Sequence, residues 1–280
     1  MEKKTIRLIV PDWQAGDNPV YYFGAKILQV IAPKKEGQKE ITIPVPDDFK
    51  PRERENGVTA QSAVYQQVKD TVSAIDKEAP DKIITFGGNC LVSQAPFAYL
   101  NEKYDDLGVL WVDAHPDISN PEIYENEHAM VLANLLGAGD PKLSGLVRKT
   151  LKPSQMQGGV DVEQAELDRL GVSYAAAKGN ELDAEGAISW IRENGIKHIA
   201  FHLDCDVMDP HDFYATYFNN PALGPIPYNA ATGHMKRASV WDFIEKISKE
   251  TDLVGLTIAE YMPWSAMQMR ELMKRTKIFG

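Results

Sequence analysis

Cysteine is scarce: Cys90 and Cys205 are the only two in 280 residues. Two cysteines cannot build a disulfide framework, and both sit beside ligand-type residues, which suits a reducing compartment. Long apolar runs are missing as well. No stretch approaches the ~20 apolar residues that a membrane-crossing helix needs. The opening "MEKKTIRLIVPDW" has too short an apolar run before Pro11 to serve as a secretory leader. There is no excess of positive charge: 30 Lys and Arg against 40 Asp and Glu leave a formal charge of -10. That balance argues against nucleic acid or an anionic membrane as the main partner. Internal repeats, low-complexity tracts and linkers are also lacking. These absences lead us to expect one domain over residues 1–280, soluble and cytoplasmic.

What is present is an alternation. "TIRLIV" reads as an opening strand stopped by Pro11, and residues 21–31 read as a helix. "ITIPVP" reads as a strand near an edge because prolines cannot donate to a ladder. Val64, Val68, Val72 and Ile75 recur at helical spacing in the stretch that Pro80 ends. Then "DKIITFGG" precedes a helical stretch over 91–101, and "LGVLWVDAH" precedes another around "EHAMVLANLL". "AEGAISWIRENG", closed by Gly195, leads into "IKHIAFHLDCD"; "SVWDFIEKISKE" leads into "LVGLTIAEYMP". Ser239 and Asp242 look like a capping box for that last helix. Short apolar strands alternating with helices predict an α/β fold, three α-β-α layers around a mainly parallel sheet.

Ligands of such sheets bind beyond the carboxyl ends of the strands. The polar residues gather there: Cys90 after "IITFGGN", Asp113, His115 and Asp117 after "GVLWV", Asp204 and Asp206 after "HIAFHL", Glu260 after "LVGLTIA". In extended chain, side chains two apart share a face. Four carboxylates and an imidazole brought together would repel one another unless cations neutralise them. Carboxylate-rich sets with an imidazole suit divalent ions such as Mn²⁺, and this one is large enough for two. A single aspartate at such a place is commonly a helix or turn cap; two pairs at spacing two, each ending an apolar strand, are harder to explain that way.

"DAHPD" together with "HLDCDVMDP" resembles the two signature stretches of the ureohydrolase (arginase and agmatinase) family. "FGGNC" is similar to its third, and "EHAMVLANLLG" and "AEYMP" fall where the family carries a histidine and a glutamate. The likeness runs over residues 83–263, and the opening "PDWQAGDNPVYYFGA" also looks similar. It implies an arginase-like catalytic domain with two divalent ions, manganese in the family. It further implies hydrolysis of a C–N bond in a linear amidine by a hydroxide held between the metals. Carried over by position, Asp113 and Asp204 would bridge the ions. His115 and Asp206 would complete one shell, and Asp117 the other together with Cys90. His128 would shuttle a proton to the departing amine, and Glu260 would hold a small cationic guanidino or formimino substrate. The resemblance also implies a homo-oligomer, trimer or hexamer.

Cys90 departs from the family, where histidine is usual. It is open whether it ligates a softer ion such as Zn²⁺, Fe²⁺ or Co²⁺, ligates Mn²⁺ weakly, leaves one position poorly filled, or simply packs as a small buried residue. His202, two before Asp204, is either a group that tunes a ligand by hydrogen bonding or a core histidine. His198, His211 and His234 have no motif and read as structural or solvated, and Cys205 alternates away from the aspartates. Ser119, Asn120, Tyr124 and Asn126 follow the Asp-His-Asp stretch. After Pro210 an aromatic loop holding Phe213, Tyr214, Tyr217 and Phe218 is either a packed lid or a wall for the substrate. Two other functions compete: a non-catalytic, metal-deficient relative, favoured by Cys90, and a single-zinc deacylase, which needs fewer carboxylates than Asp117 and Asp206 together provide. A metallophosphatase fits the ligands, but Glu260 at the rim would repel phosphate.

Overall fold

The computed structural model describes residues 3–158, 164–174, 179–222 and 231–274. Eight strands form one sheet: β1 (Thr5–Val10), β2 (Lys39–Thr42), β5 (Lys82–Gly87), β6 (Leu107–Val112), β7 (Met156–Gly158), β8 (Ser173–Tyr174), β9 (His198–Asp204) and β10 (Asp252–Ala259). A separate two-strand hairpin joins β3 (Arg54–Glu55) to β4 (Val58–Thr59). The sheet runs β2-β1-β5-β10-β9-β6-β7-β8, and every ladder in it is parallel. "ITIPVP" supplies the edge strand β2, as its prolines predict.

The central strands are apolar on both faces because helices cover both. Along β6, Leu107, Val109 and Trp111 enter one core while Leu110 and Val112 enter the other. β9 splits likewise, with Ala200 on the first side and Ile199, Phe201 and Leu203 on the second. The first side is covered by α2 (Gln61–Glu78) and α3 (Gln94–Lys103), together with α4 (Val131–Leu136) and α5 (Pro141–Ser144). The second is covered by α7 (Ala184–Glu193) and α8 (Arg237–Glu250), and α1 (Val20–Ile31) sends Leu28 against Ile9 and Phe86 on that side. α6 (Gln164–Leu170) adds Leu167 to the first core, and α9 (Trp264–Lys274) lies near α1. This is the three-layer α/β fold expected. No described helix is long and apolar enough to cross a membrane.

The capping box is a correction. Helix α8 begins two residues before Ser239, and the carboxylate of Asp212 accepts from the Arg237 N–H at 2.7 Å. Ser239 is inside the helix, and its hydroxyl accepts from the Leu182 N–H at 2.9 Å. A cap supplied from a distant loop leaves no local signature. The helix expected over residues 91–101 opens as a tight 3-10 turn, Cys90–Ser93, before α3. That turn starts with the Asn89 side chain accepting from the Leu91 N–H at 3.1 Å.

Candidate metal centre and active site

The four strands whose ends carry the polar residues are neighbours in the middle of the sheet, in the order β5-β10-β9-β6. Cys90, Asp113, Asp117, Asp204, Asp206 and Glu260 are therefore brought to one rim, all buried, with His115 partly exposed above them. Extended alternation is not what gathers Asp113, His115 and Asp117. The strand stops at Val112; Asp113 turns the chain by accepting from the His115 N–H at 2.7 Å, and Asp117 adopts a left-handed backbone with φ 46°. Asp204 makes the same kind of turn, accepting from the Asp206 N–H at 2.6 Å. Glu260 is likewise left-handed at φ 56°. Each such non-glycine residue costs about 1–3 kcal/mol, and the cost is borne where surrounding structure over-determines it.

Three groups of donor atoms result, each group lying mutually within 4.8 Å: Cys90 with Asp113, Asp117 and His202; Asp113 with His115 and Asp206; Cys90 with Asp204 and Glu260. Asp113 belongs to two of them. His115 Nδ1 lies 3.1 Å from Asp206 and 3.6 Å from Asp113. The Cys90 thiol lies 2.8 Å from Asp204 Oδ2, and 3.8 and 3.7 Å from Asp113 and Glu260. At the outer edge His128 Nδ1 stands 3.0 Å from Glu260 Oε1.

The charge balance is severe. An unpaired carboxylate taken out of water costs several kcal/mol, against about 5–15 kcal/mol for the stability of a whole domain. Five ionised carboxylates therefore cannot share this rim alone. Without cations the site holds protons instead. Burial, and next Asp113, push Asp117 well up; burial, and next Asp206, do the same to Asp204. Burial raises Asp206 despite His115, and burial with Asp117 raises the Cys90 thiol. His115 goes the other way: burial pulls it down, but Asp206 and Asp113 lift it to about 12. Asp113 stays low because His115 and His202 outweigh its burial. Buried Asp117 Oδ2, His115 Nε2 and His202 Nε2 have no hydrogen-bond partner among the described residues. Donor atoms from carboxylates, imidazoles and a thiol gathered on one basin, with Asp117 Oδ2 and His202 Nε2 left unpaired among the described residues, fit divalent cations.

His202 does not settle as an ordinary core histidine. Its Nδ1 bonds Ser93 Oγ at 2.8 Å and its ring stacks on Trp111 at 3.6 Å, yet its Nε2 faces the donors. His198 is structural, paired with Asp106 and stacked on Tyr104. His211 is exposed beside Asp209, and His234 is exposed. Cys205 packs in the second core. In the aromatic loop Phe213 packs on Trp241 and Tyr261, Phe218 is buried, and Tyr214 points to solvent. Phe213 and Phe218 pack whereas Tyr214 does not; residues 223–230 of that loop lie outside the described residues. Ser119 is buried, its hydroxyl without a partner among the described residues, and Tyr124 lies on the rim with its ring 6.3 Å from His128.

Two residues escaped the sequence reading. Tyr21, at the start of α1, turns its hydroxyl toward Glu260, Asp204 and Cys90; burial first, then Glu260, raise its pKa. Asp12 is fully buried beneath Asn89, whose amide donates to the Asp12 carbonyl at 3.0 Å. Gly88 makes that approach possible: a Cβ there would stand 1.8 Å from the Asp12 carbonyl oxygen. The stretch "PDWQAGDNPVYYFGA" that carries both was noted only as a whole.

Fold and site together define a class: a parallel α/β sheet whose carboxyl rim presents an Asp-rich basin for cations beside a His–Glu pair. The chain belongs to the arginase family, whose model matches residues 38–270. The arginase of Staphylococcus aureus (strain MRSA252) is 24% identical over 190 residues, 59% of this chain and 60% of that protein. The chain thus matches about 60% of the length of that curated relative. Among solved structures, Entamoeba histolytica arginase in complex with L-ornithine aligns with a TM-score of 0.77 at 21% identity, covering 94% of this chain and 92% of that one. The arginase from Bacillus caldovelox aligns at 0.74 and 18%, covering 94% and 92%. These likenesses establish the fold.

Proposed function

We propose that this chain is a dinuclear-metal hydrolase that cleaves a C–N bond of a linear amidine, a guanidino or formimino compound. One observation carries the reading. Seven donor residues converge at a single rim within reach of the His128–Glu260 pair. Asp113, His115 and Asp206 would hold one ion, Asp113, Asp117 and Cys90 the other, with Asp204 beside both. When bound, such ions polarise the amidine and supply a water acidic enough to ionise near neutral pH.

The chain's own residues do the rest. Glu260, buried at the rim, presents a carboxylate to a planar amidinium, whose N–H groups donate to it in a charge-assisted pair. A bound substrate cation competes with His128 for Glu260 Oε1, freeing the imidazole to move a proton to the leaving amine nitrogen. Tyr21, buried beside that carboxylate, interacts with it through its hydroxyl and helps to orient it. The products are urea or formamide and an amine. We assign residues 1–280 to one catalytic domain, working as a homo-oligomer, trimer or hexamer, in the cytoplasm.

The test is metal analysis of the purified chain combined with urea or formamide release from a panel of guanidino and formimino compounds. Two bound ions with turnover support the reading. A second reading, a metal-deficient binding subunit, is favoured by the Cys90 thiol, which lies on Asp204 rather than offering an imidazole. An inert, metal-free chain that regains both properties on Cys90→His would establish that reading instead.

A further inference from the structure

We propose that the two cation positions differ in kind: Cys90, His202, Asp113 and Asp117 form a soft position for a zinc-class ion, while Asp113, His115 and Asp206 form a harder one suited to manganese. The inference rests on the dinuclear reading above and adds His202 as a ligand.

The imidazole is built for the task. His202 is fully buried on β9, and its Nε2 has no hydrogen-bond partner among the described residues. Its nearest carboxylate oxygen, Asp113 Oδ2, is 3.6 Å away, beyond hydrogen-bond reach. The four donor atoms of Cys90, Asp113, Asp117 and His202 lie within 4.8 Å of one another. Metal-binding histidines use one ring nitrogen as ligand and donate from the other to a fixed acceptor. Ser93 Oγ, 2.8 Å from His202 Nδ1, is placed to be that acceptor in the tautomer with the proton on Nδ1, and it sits on the same 3-10 turn as Cys90. The ring is further clamped by Trp111, 3.6 Å away and 12° from parallel. Trp111 Nε1 donates to Asp113 Oδ2 at 3.1 Å, so the ring that holds the imidazole also orients the shared carboxylate.

Donor chemistry separates the positions. One sulfur, one nitrogen and two oxygens match zinc, cobalt(II) or iron(II), and thiolate is a poor partner for manganese. The other position offers one nitrogen and carboxylate oxygens only. Cys90 binds as thiolate, so each zinc bound there releases the thiol proton to solvent.

The experiment strips the full-length chain with a chelator, supplies one equivalent of Zn²⁺ per chain, and then dialyses it against excess Mn²⁺. Elemental analysis then counts each ion, and Co²⁺ serves as an optical probe of thiolate ligation. We expect one zinc and one manganese per chain, and a near-ultraviolet thiolate-to-cobalt band. His202→Ala should weaken zinc binding by at least about tenfold and leave the manganese equivalent in place. Cys90→Ser, nearly isosteric, should abolish the cobalt band and is the control if His202→Ala does not fold. Two manganese ions, zinc uptake unchanged in both variants, or no thiolate band would overturn the assignment while leaving the dinuclear hydrolase standing. One zinc and one manganese without amidine cleavage would overturn the hydrolase reading and uphold this one.

Discussion

Glu127 precedes His128 and is fully buried; its Oε1 accepts from Asn134 Nδ2 at 2.6 Å, and among the described residues it has no oppositely charged partner and Oε2 has no hydrogen-bond partner. Burial lifts its pKa to about 8, against an ordinary 4.5, with Asp140 adding to the rise and Asn134 opposing it. Below the unfolded value both states hold the proton, and the residue does not affect stability. Between the two values only the folded chain holds it, so raising the pH favours unfolding. Above about 8 the penalty levels off. Each pH unit in that window costs about 1.4 kcal/mol, so going from pH 5 to pH 8 costs about 4 kcal/mol through this residue. Glu127→Gln keeps the acceptor that Asn134 uses and removes the titration. Urea unfolding of the metal-free chain at pH 5, 6, 7, 8 and 9 should show the variant gaining on the parent by about 4 kcal/mol across that range. Parallel stability curves for parent and variant would refute the argument, because they would mean that the folded chain already carries this carboxylate ionised.

Metal uptake should release protons, because His115 must lose its proton and the raised Asp117, Asp204 and Asp206 theirs before they can bind. Titration calorimetry in two buffers of different ionisation enthalpy should give heats that diverge in proportion, with affinity falling as pH falls; identical heats would contradict this. For the same reason the metal-free chain should lose stability as pH rises above the ordinary carboxylate range, and saturating metal should remove these residues' share of that slope while leaving that of Glu127. His128→Asn should lower turnover by about 10²–10⁴-fold without raising KM, as measured by initial rates on an amidine that the parent cleaves. Gly88→Ala must push the Asp12 loop away from a contact of 1.8 Å. An overpacking cost of about 1–3 kcal/mol should lower the melting temperature by several degrees, and an unchanged melting curve would show that the loop yields freely.

The strands that carry the centre were readable because they are fully apolar and end abruptly in acid. "GVLWVDAHPD" marks both β6 and its aspartates, and "HIAFHLDCD" does so for β9. Neighbouring strand ends are a matter of sheet order, which leaves no mark in local pattern; that Cys90 lies on Asp204 depends on β10 lying between β5 and β9. The spacing-two rule grouped Asp113, His115 and Asp117 correctly but for the wrong local reason, since a left-handed Asp117 and side-chain turns do the gathering. Tyr21 was missed because its role arises across some 240 residues of chain, between a helix start and Glu260. His202 carried an ambiguous signal: its face was legible, but the hydrogen bond that orients its ring comes from Ser93 on another strand's turn.

Strand β10 is the last of the described strands in sequence yet sits in the middle of the sheet. Until it inserts, β2-β1-β5 and β9-β6-β7-β8 are two fragments that share no backbone hydrogen bond, with Cys90 on one and the aspartates on the other. Asp113, His115 and Asp206 all lie on the second fragment, whereas the position that includes Cys90 needs both. The position that includes Cys90 is complete only once β10 has joined the two fragments.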